Sequence, residues 1–189
     1  MEPVFCFEVV LLGNSNVGKS SLLSCYVNGI NPKQIQHTAG VEFLVKTIAE
    51  PCGNIRLKIW DTAGLERYKH IVQSLYTNHD GALLVYDIHD RKSYNDVLNW
   101  AKELNDWVCL KLTQKPRKVI ALVGNKADLS ANRVVSTEEA EKYAERNGLI
   151  FWETSATTDL NVSKCFLEVA IAIRNAKTLL KHNRSSWYL

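Results

Sequence analysis

The chain has 189 residues, 46% apolar and 23% charged, a globular composition that suits one domain with a full core. Its net charge of +3 is too small to argue for a nucleic-acid or polyanion binder. No apolar run reaches the length of a membrane span, and Met1-Glu2-Pro3 leads straight into strand-like sequence rather than a secretory leader. The five cysteines, Cys6, Cys25, Cys52, Cys109 and Cys165, are an odd and dispersed set with no C-x-x-C pair. They are expected to be reduced core thiols of a cytoplasmic protein, with a zinc site the weaker alternative.

An apolar run predicts a buried strand over residues 4–12. Residues 18–27 read as a helix with Leu22, Leu23, Tyr26 and Val27 on one face. A polar loop with Pro32 follows, then strands over 41–48 and 54–60 around a turn at Pro51-Cys52-Gly53-Asn54. Residues 82–88 form a continuous apolar strand. Residues 94–107 are helical, with Tyr94, Val97, Leu98, Ala101, Leu104 and Val108 at helical spacing. A buried strand is expected over 119–124. Ser136-Thr137-Glu138-Glu139 is a capping box that opens a helix ending at Asn147-Gly148. A short strand over 149–153 and a last helix from Asp159 onward complete the chain. Alternation of apolar strands with helices predicts an α/β sheet covered on both faces. Ligands of such sheets bind at the carboxyl ends of the strands, and each motif below follows a strand end.

Residues 13 to 20, Gly13-Asn14-Ser15-Asn16-Val17-Gly18-Lys19-Ser20, match the phosphate-loop pattern G-x-x-x-x-G-K-S/T between a strand and a helix. Glycines let the backbone wrap a polyphosphate with its N–H groups inward. Lys19 can bridge the β- and γ-phosphates, the Ser20 hydroxyl can ligate Mg²⁺, and the helix start adds positive potential. Trp60-Asp61-Thr62-Ala63-Gly64 ends a strand. Its carboxylate can hold Mg²⁺ through water opposite Ser20, and the Gly64 N–H can approach a γ-phosphate. Alone, D-T-A-G is a common turn; after a phosphate loop it gains weight.

Asn125-Lys126-Ala127-Asp128 selects the base. The Asp128 carboxylate only accepts hydrogen bonds, and guanine offers it two donors on one edge where adenine presents a lone pair. Sites built on such donors reject the analogue lacking them by about 10⁴–10⁵. The Asn125 amide can tie the base to the phosphate loop, and the Lys126 stem can cover the ring. In Glu153-Thr154-Ser155-Ala156 the Ala156 N–H could meet the guanine O6. In the polar loop, the Thr38 hydroxyl could complete the Mg²⁺ shell while its N–H touches the γ-phosphate, contacts that exist only with the triphosphate bound.

Together these residues resemble a small Ras-superfamily GTPase, and most nearly the Rab family of vesicle-traffic switches. The Rab-like stretches are Ala39-Gly40-Val41-Glu42-Phe43, Leu57-Lys58-Ile59-Trp60-Asp61-Thr62-Ala63-Gly64, Glu66-Arg67-Tyr68 and Leu84-Val85-Tyr86-Asp87-Ile88. The resemblance implies a three-layer P-loop G domain over residues 1–180, with a six-stranded, mostly parallel sheet, about five helices and a tail at 181–189. It implies a nucleotide site of Gly13, Ser15, Asn16, Val17, Gly18, Lys19, Ser20, Ser21, Thr38, Gly64, Asn125, Lys126, Asp128, Ser155 and Ala156, with Mg²⁺ held by Ser20, Thr38 and Asp61. Lys19, Thr38, Gly64 and residue 65 would carry catalysis. GTP/GDP cycling would control effector, exchange-factor and GTPase-activating partners through residues 30–45 and 62–80. The protein is expected to be a monomer that binds no nucleic acid.

Four features depart from the family pattern. Leu65 stands where the family places the glutamine that orients the attacking water, so hydrolysis is expected to be slow and the GTP state long-lived. Residues 30–37 lack the aromatic that stacks on guanine, the spacing to Thr38 is one residue long, and Ala39 replaces a bulkier apolar residue. Between Trp100 and Gly124 the chain is longer than a typical Rab. The excess at 109–118, with its cations, reads as an extended helix end with a solvated loop or, alternatively, a partner patch. The chain ends Trp187-Tyr188-Leu189 with no prenylation cysteine, so peripheral membrane association would need a lipidated tail beyond this sequence. The competing readings are a constitutively GTP-loaded scaffold and, with less support, a P-loop kinase. The kinase would leave Asn125-Lys126-Ala127-Asp128 without a role.

Overall fold

The computed structural model describes residues 4–29, 41–62, 79–110 and 118–185. Six strands form one sheet: β1 (Val4–Leu12), β2 (Val41–Ile48), β3 (Asn54–Thr62), β4 (Gly81–Asp87), β5 (Val119–Asn125) and β6 (Ile150–Glu153). Their order is β2-β3-β1-β4-β5-β6. Only β2 runs antiparallel, pairing Val41 with Thr62 and Ile48 with Ile55, while the remaining neighbours are parallel. Among the described residues four α-helices accompany the sheet: α1 (Lys19–Asn28), α2 (Arg91–Leu110), α3 (Thr137–Asn147) and α4 (Val162–Ser185). A 3-10 helix spans Ala127–Asn132.

The apolar strands are continuous rather than alternating because both faces are covered. Side chains of a strand point alternately to either side. Phe7, Val9 and Leu11 of β1 therefore join Leu83 and Val85 of β4 in a core with Leu22 and Tyr26 of α1 and Phe166, Val169 and Ile173 of α4. Val10 and Leu12 join Leu84 and Tyr86 on the opposite side, against Tyr94, Val97 and Ala101 of α2 and Ala140 and Ala144 of α3. The Tyr26 and Phe166 rings stack 4.2 Å apart, fastening α1 to α4.

Ser136 caps the helix as expected: Ser136 Oγ accepts the Glu139 N–H at 3.1 Å, the Glu139 carboxylate accepts from Arg91, and α3 stops at Gly148, whose φ of 64° is left-handed. Other boundaries move for local reasons. The α2 helix starts at Arg91, ahead of the expected Tyr94, because the Asp90 carboxylate accepts the Lys92 N–H at 2.9 Å. Strand β3 extends to Thr62, where Thr62 Oγ1 donates to the Leu11 carbonyl at 2.7 Å. The last helix starts at Val162 rather than Asp159, because Asp159 and Asn161 are left-handed and Ser155 pairs with Leu160.

The expectation of core thiols holds for Cys25 and Cys165, where burial raises the thiols to about 11 and about 12. It fails for Cys6 and Cys52, which are exposed because one lies near the uncovered start of β1 and the other in the β2–β3 turn.

Candidate nucleotide site

Parallel pairing places the ends of β1, β3, β4, β5 and β6 along one edge of the sheet. The loop at 13–18 leaves β1 there and turns through left-handed backbone at Asn16 and Gly18, with φ of 66° and 95°. It curls round its own lysine. Lys19 Nζ donates to the Gly13 carbonyl at 2.7 Å and to the Asn14 carbonyl at 2.9 Å, and the side chain is buried. Val17 is anchored in the core, Ser15 and Asn16 are exposed, and Ser20 and Ser21 are half-buried. The first turn of α1 has no acidic residue and its N-cap has no side-chain hydrogen bond. An ammonium, a helix N-terminus and a glycine-bearing loop with no opposing carboxylate in that turn suit a polyphosphate.

The loop is braced on both sides. Asn14 Nδ2 donates to Asp96 Oδ2 on α2 at 2.7 Å, and Lys92 Nζ donates to the same oxygen at 2.9 Å. The Asn14 bond, helped by Lys92, holds the Asp96 carboxyl below the usual range against burial. Asn125, buried at the end of β5, donates from Nδ2 to the Val17 carbonyl at 2.9 Å. The Asn125 amide thus ties the Asn125-Lys126-Ala127-Asp128 motif directly to the phosphate loop. Thr154 Oγ1 donates to Asn125 Oδ1 at 3.4 Å, and the Ala127 N–H reaches the Thr154 carbonyl at 3.1 Å, joining the third loop to the other two.

Asp128 lies on the 3-10 helix, exposed, and its Oδ1 accepts the Ser155 hydroxyl at 2.6 Å. Ser155 is fixed in turn, since its oxygen accepts the Thr157 and Thr158 N–H groups at 3.2 and 3.1 Å. Ala156 beside it is buried. Lys126, left-handed at φ 67°, places Nζ 2.7 Å from Asp87 Oδ2. Burial pushes the Asp87 carboxyl up, but hydrogen bonds from Lys126 and from the backbone and ring of His89 outweigh it and hold that carboxyl below the usual range.

Asp61 is buried at the end of β3, in register with Leu11 and so beside the start of the phosphate loop. A carboxylate there and the Ser20 hydroxyl at the head of α1 are hard oxygen donors, which fit Mg²⁺. Thr38, Gly64 and Leu65 lie outside the described residues, as do most of 30–45 and 62–80. Of the longer segment at 109–118, residues 111–117 lie outside as well. Sequence reasoning missed the supports: Thr154 sat unremarked inside a quoted motif, and the pairings Asp87–Lys126 and Asn14–Asp96 have no signature in spacing.

A mostly parallel sheet with a phosphate-loop motif between its first strand and first helix is the architecture of a P-loop nucleotide-binding protein. Residues 8–175 match the model of the Ras family. The chain is 43% identical over 167 residues to the Ras-related protein Rab-5A of Dictyostelium discoideum, covering 88% of this chain and 80% of that one. It is 45% identical over 162 residues to the Ras-related protein Rab-25 of Bos taurus, with coverage of 86% and 73%. Against the Ras-related protein rab-11.1 of Caenorhabditis elegans the identity is 44% over 169 residues, covering 89% and 77%. The chain belongs to the Ras family, as a small GTPase close to the Rab proteins, which bind GTP and GDP with Mg²⁺ and serve vesicle transport.

Proposed function

We propose that this chain is a guanine-nucleotide switch that recruits effectors in membrane traffic and turns GTP over slowly. The observation that carries the reading is the bond from Asn125 to the Val17 carbonyl, with Asp128 held by Ser155 at the other end of the same motif. One hydrogen-bonded unit thereby joins the phosphate loop to a carboxylate that would accept from the N1–H and amine of guanine. Gly13, Ser15, Asn16, Val17, Gly18, Lys19, Ser20 and Ser21 would cradle the phosphates, and Ala156 would address O6. Ser20, Thr38 and Asp61 would hold Mg²⁺, whose charge offsets that on the β- and γ-phosphate oxygens. The Lys19 ammonium would exchange its two loop carbonyls for phosphate oxygens, and the Thr38 and Gly64 N–H groups would meet the γ-phosphate.

Leu65 would stand against the attacking water with no hydrogen-bonding group. A Ras-type enzyme hydrolyses GTP at about 3–5 × 10⁻⁴ s⁻¹ unaided, and an activating partner adds about 10⁵-fold. That factor is about 7 kcal/mol of barrier, and with a leucine that cannot orient the water most of it would be out of reach. The apolar Leu65 also favours a second reading, a constitutively GTP-loaded scaffold. Nucleotide content after purification, and hydrolysis with a candidate activating protein, separate the two.

Partners would dock on residues 30–45 and 62–80. Within these ranges Val41, Phe43 and Val45 expose an apolar row on β2, and Phe43 lies 5.1 Å from the Trp60 ring. No helix among the described residues is long and apolar enough to cross a membrane. We infer a monomeric G domain over residues 1–180 whose tail, 181–189, begins inside α4. Titration calorimetry on the stripped protein with Mg²⁺ tests the base assignment: GDP binds far more tightly than ADP, and equal affinities overturn it.

A further inference from the structure

His89 follows β4 and faces the 3-10 helix that bears Asp128. Its Nε2 lies 2.6 Å from the Leu129 carbonyl oxygen, and its Nδ1 lies 2.8 Å from Asp87 Oδ1. A carbonyl oxygen only accepts, so Nε2 carries a proton. The second contact is equally one-sided. Asp87 Oδ1 already accepts the His89 backbone N–H at 2.9 Å, and Asp87 Oδ2 is paired with Lys126 at 2.7 Å. An ionised carboxylate so engaged has no proton to give, so Nδ1 must donate too. Two donating ring nitrogens describe an imidazolium. A neutral ring would set a lone pair against either the carboxylate or the carbonyl.

The ring has 19% of its side chain exposed; its contact with Asp87 is part-buried, while the one with the Leu129 carbonyl lies at the surface. They span a join that matters. Leu129 is the residue after Asp128, and Lys126 precedes the same turn, so the Asp87–His89 pair grips the base-reading segment at two points. Val134 and Val135 add N–H bonds to the Ile88 carbonyl at 3.0 and 3.1 Å, closing the segment back onto β4. His89 and Asp128 also share the wall of an open cavity of about 460 Å³ with Leu129, Ser130, Ala131 and Asn132.

We propose that His89 is a positioning residue for base recognition: as an imidazolium it pins the Asp128 segment to the end of β4, so guanine nucleotide is held more tightly when His89 carries its second proton. The charged groups around the ring are Asp87 on β4, Lys126 ahead of the 3-10 helix, Asp128 within it, and the chain neighbours Asp90 and Arg91. Asp90 accepts the Lys92 N–H, and the Arg91 guanidinium reaches Glu139 on α3. None of these side-chain types ordinarily changes charge between about pH 6 and about pH 8. With the second proton on the ring both contacts run from donor to acceptor, and loss of that proton turns one of them into a lone pair facing an acceptor.

The inference rests on the reading of Asp128 as the guanine-binding carboxylate. It is tested by release of fluorescent GDP from the Mg²⁺-loaded protein at about pH 6 and about pH 8, in wild type, His89→Ala and His89→Gln. The wild type releases about five- to tenfold faster at the higher pH, the scale of one charge-assisted hydrogen bond lost at a partly shielded site. His89→Ala releases fast at both. His89→Gln keeps a donor for Leu129 but cannot charge, so it changes less than about twofold between the two, and it carries the test should the alanine variant fold poorly. A wild-type slope retained in His89→Gln, or a wild type that shows no slope, overturns the proposal while leaving the base assignment intact. Equal affinity of the wild type for GDP and ADP at both pH values is the separate failure of the assignment beneath it.

Discussion

Replacing Gly18 by alanine perturbs the point where the phosphate loop meets the Asn125-Lys126-Ala127-Asp128 motif. Gly18 has φ of 95°, outside the region that L side chains readily adopt, and a left-handed conformation costs such a residue about 1–2 kcal/mol. The added Cβ would lie 2.4 Å from Asn125 Nδ2. Asn125 is 2% exposed and uses that nitrogen to bond Val17, so it cannot swing aside without leaving a buried carbonyl unsatisfied. That loss adds about 1–3 kcal/mol, for a total of about 2–5 kcal/mol. Without nucleotide the loop can relax to another shape, so the strain is felt chiefly when the loop must close on phosphate. At 1.4 kcal/mol per tenfold, GDP affinity by calorimetry falls at least about thirtyfold, while the melting temperature of the stripped protein changes little. GDP affinity within about threefold of wild type, together with an unchanged melt, would refute the argument from loop geometry.

Asn125→Ala removes the tie itself. It weakens GDP binding and lowers the stability of the stripped protein by about 1–3 kcal/mol, read from urea midpoints, because the Val17 carbonyl is orphaned in both states. Leu65→Gln raises single-turnover GTP hydrolysis to about 3 × 10⁻⁴ s⁻¹, with the Leu65 chain at least tenfold slower; equal rates contradict the role proposed for residue 65. Ser136→Ala strips the α3 cap and costs about 0.5–2 kcal/mol, a fall of a few degrees in melting temperature with GDP affinity unchanged. Asp87 and Asp96 have folded pKa values below those of the unfolded chain, so both stabilise the fold above the ordinary carboxylate range. That contribution disappears as pH falls through the folded values, and Asp87→Asn makes the acid limb of a stability-against-pH curve shallower.

Strands β1, β4 and β5 were readable as continuous apolar runs, the pattern of a sheet covered on both faces, and β2 and β3 from the turn between them. The phosphate loop and the Asn125-Lys126-Ala127-Asp128 motif were readable because spacing in the chain equals spacing in a single turn. What escaped depends on contacts between distant segments. Asn14 meets Asp96 and Lys126 meets Asp87 only after the sheet is assembled, and no local periodicity encodes such meetings. The start of α2 was missed for a different reason. The apolar rhythm begins at Tyr94, while the helix begins where Asp90 caps it, so polar capping outran the hydrophobic signal. The left-handed residues Asp159 and Asn161 likewise delayed α4, since nothing in composition separates a polar helix start from a polar turn.

The β2–β3 turn offers a practical handle. Gly53 closes it with an N–H bond to the Glu50 carbonyl at 2.9 Å, and it sits where Asn54 pairs with Val4, at the opposite end of the sheet from Gly13. The length of β3, about 26 Å at 3.3 Å per residue, therefore separates it from the phosphates. Cys52 at its tip is exposed, so a dye, a tether or an inserted affinity peptide attached there would report on or immobilise the protein without crowding the ligand.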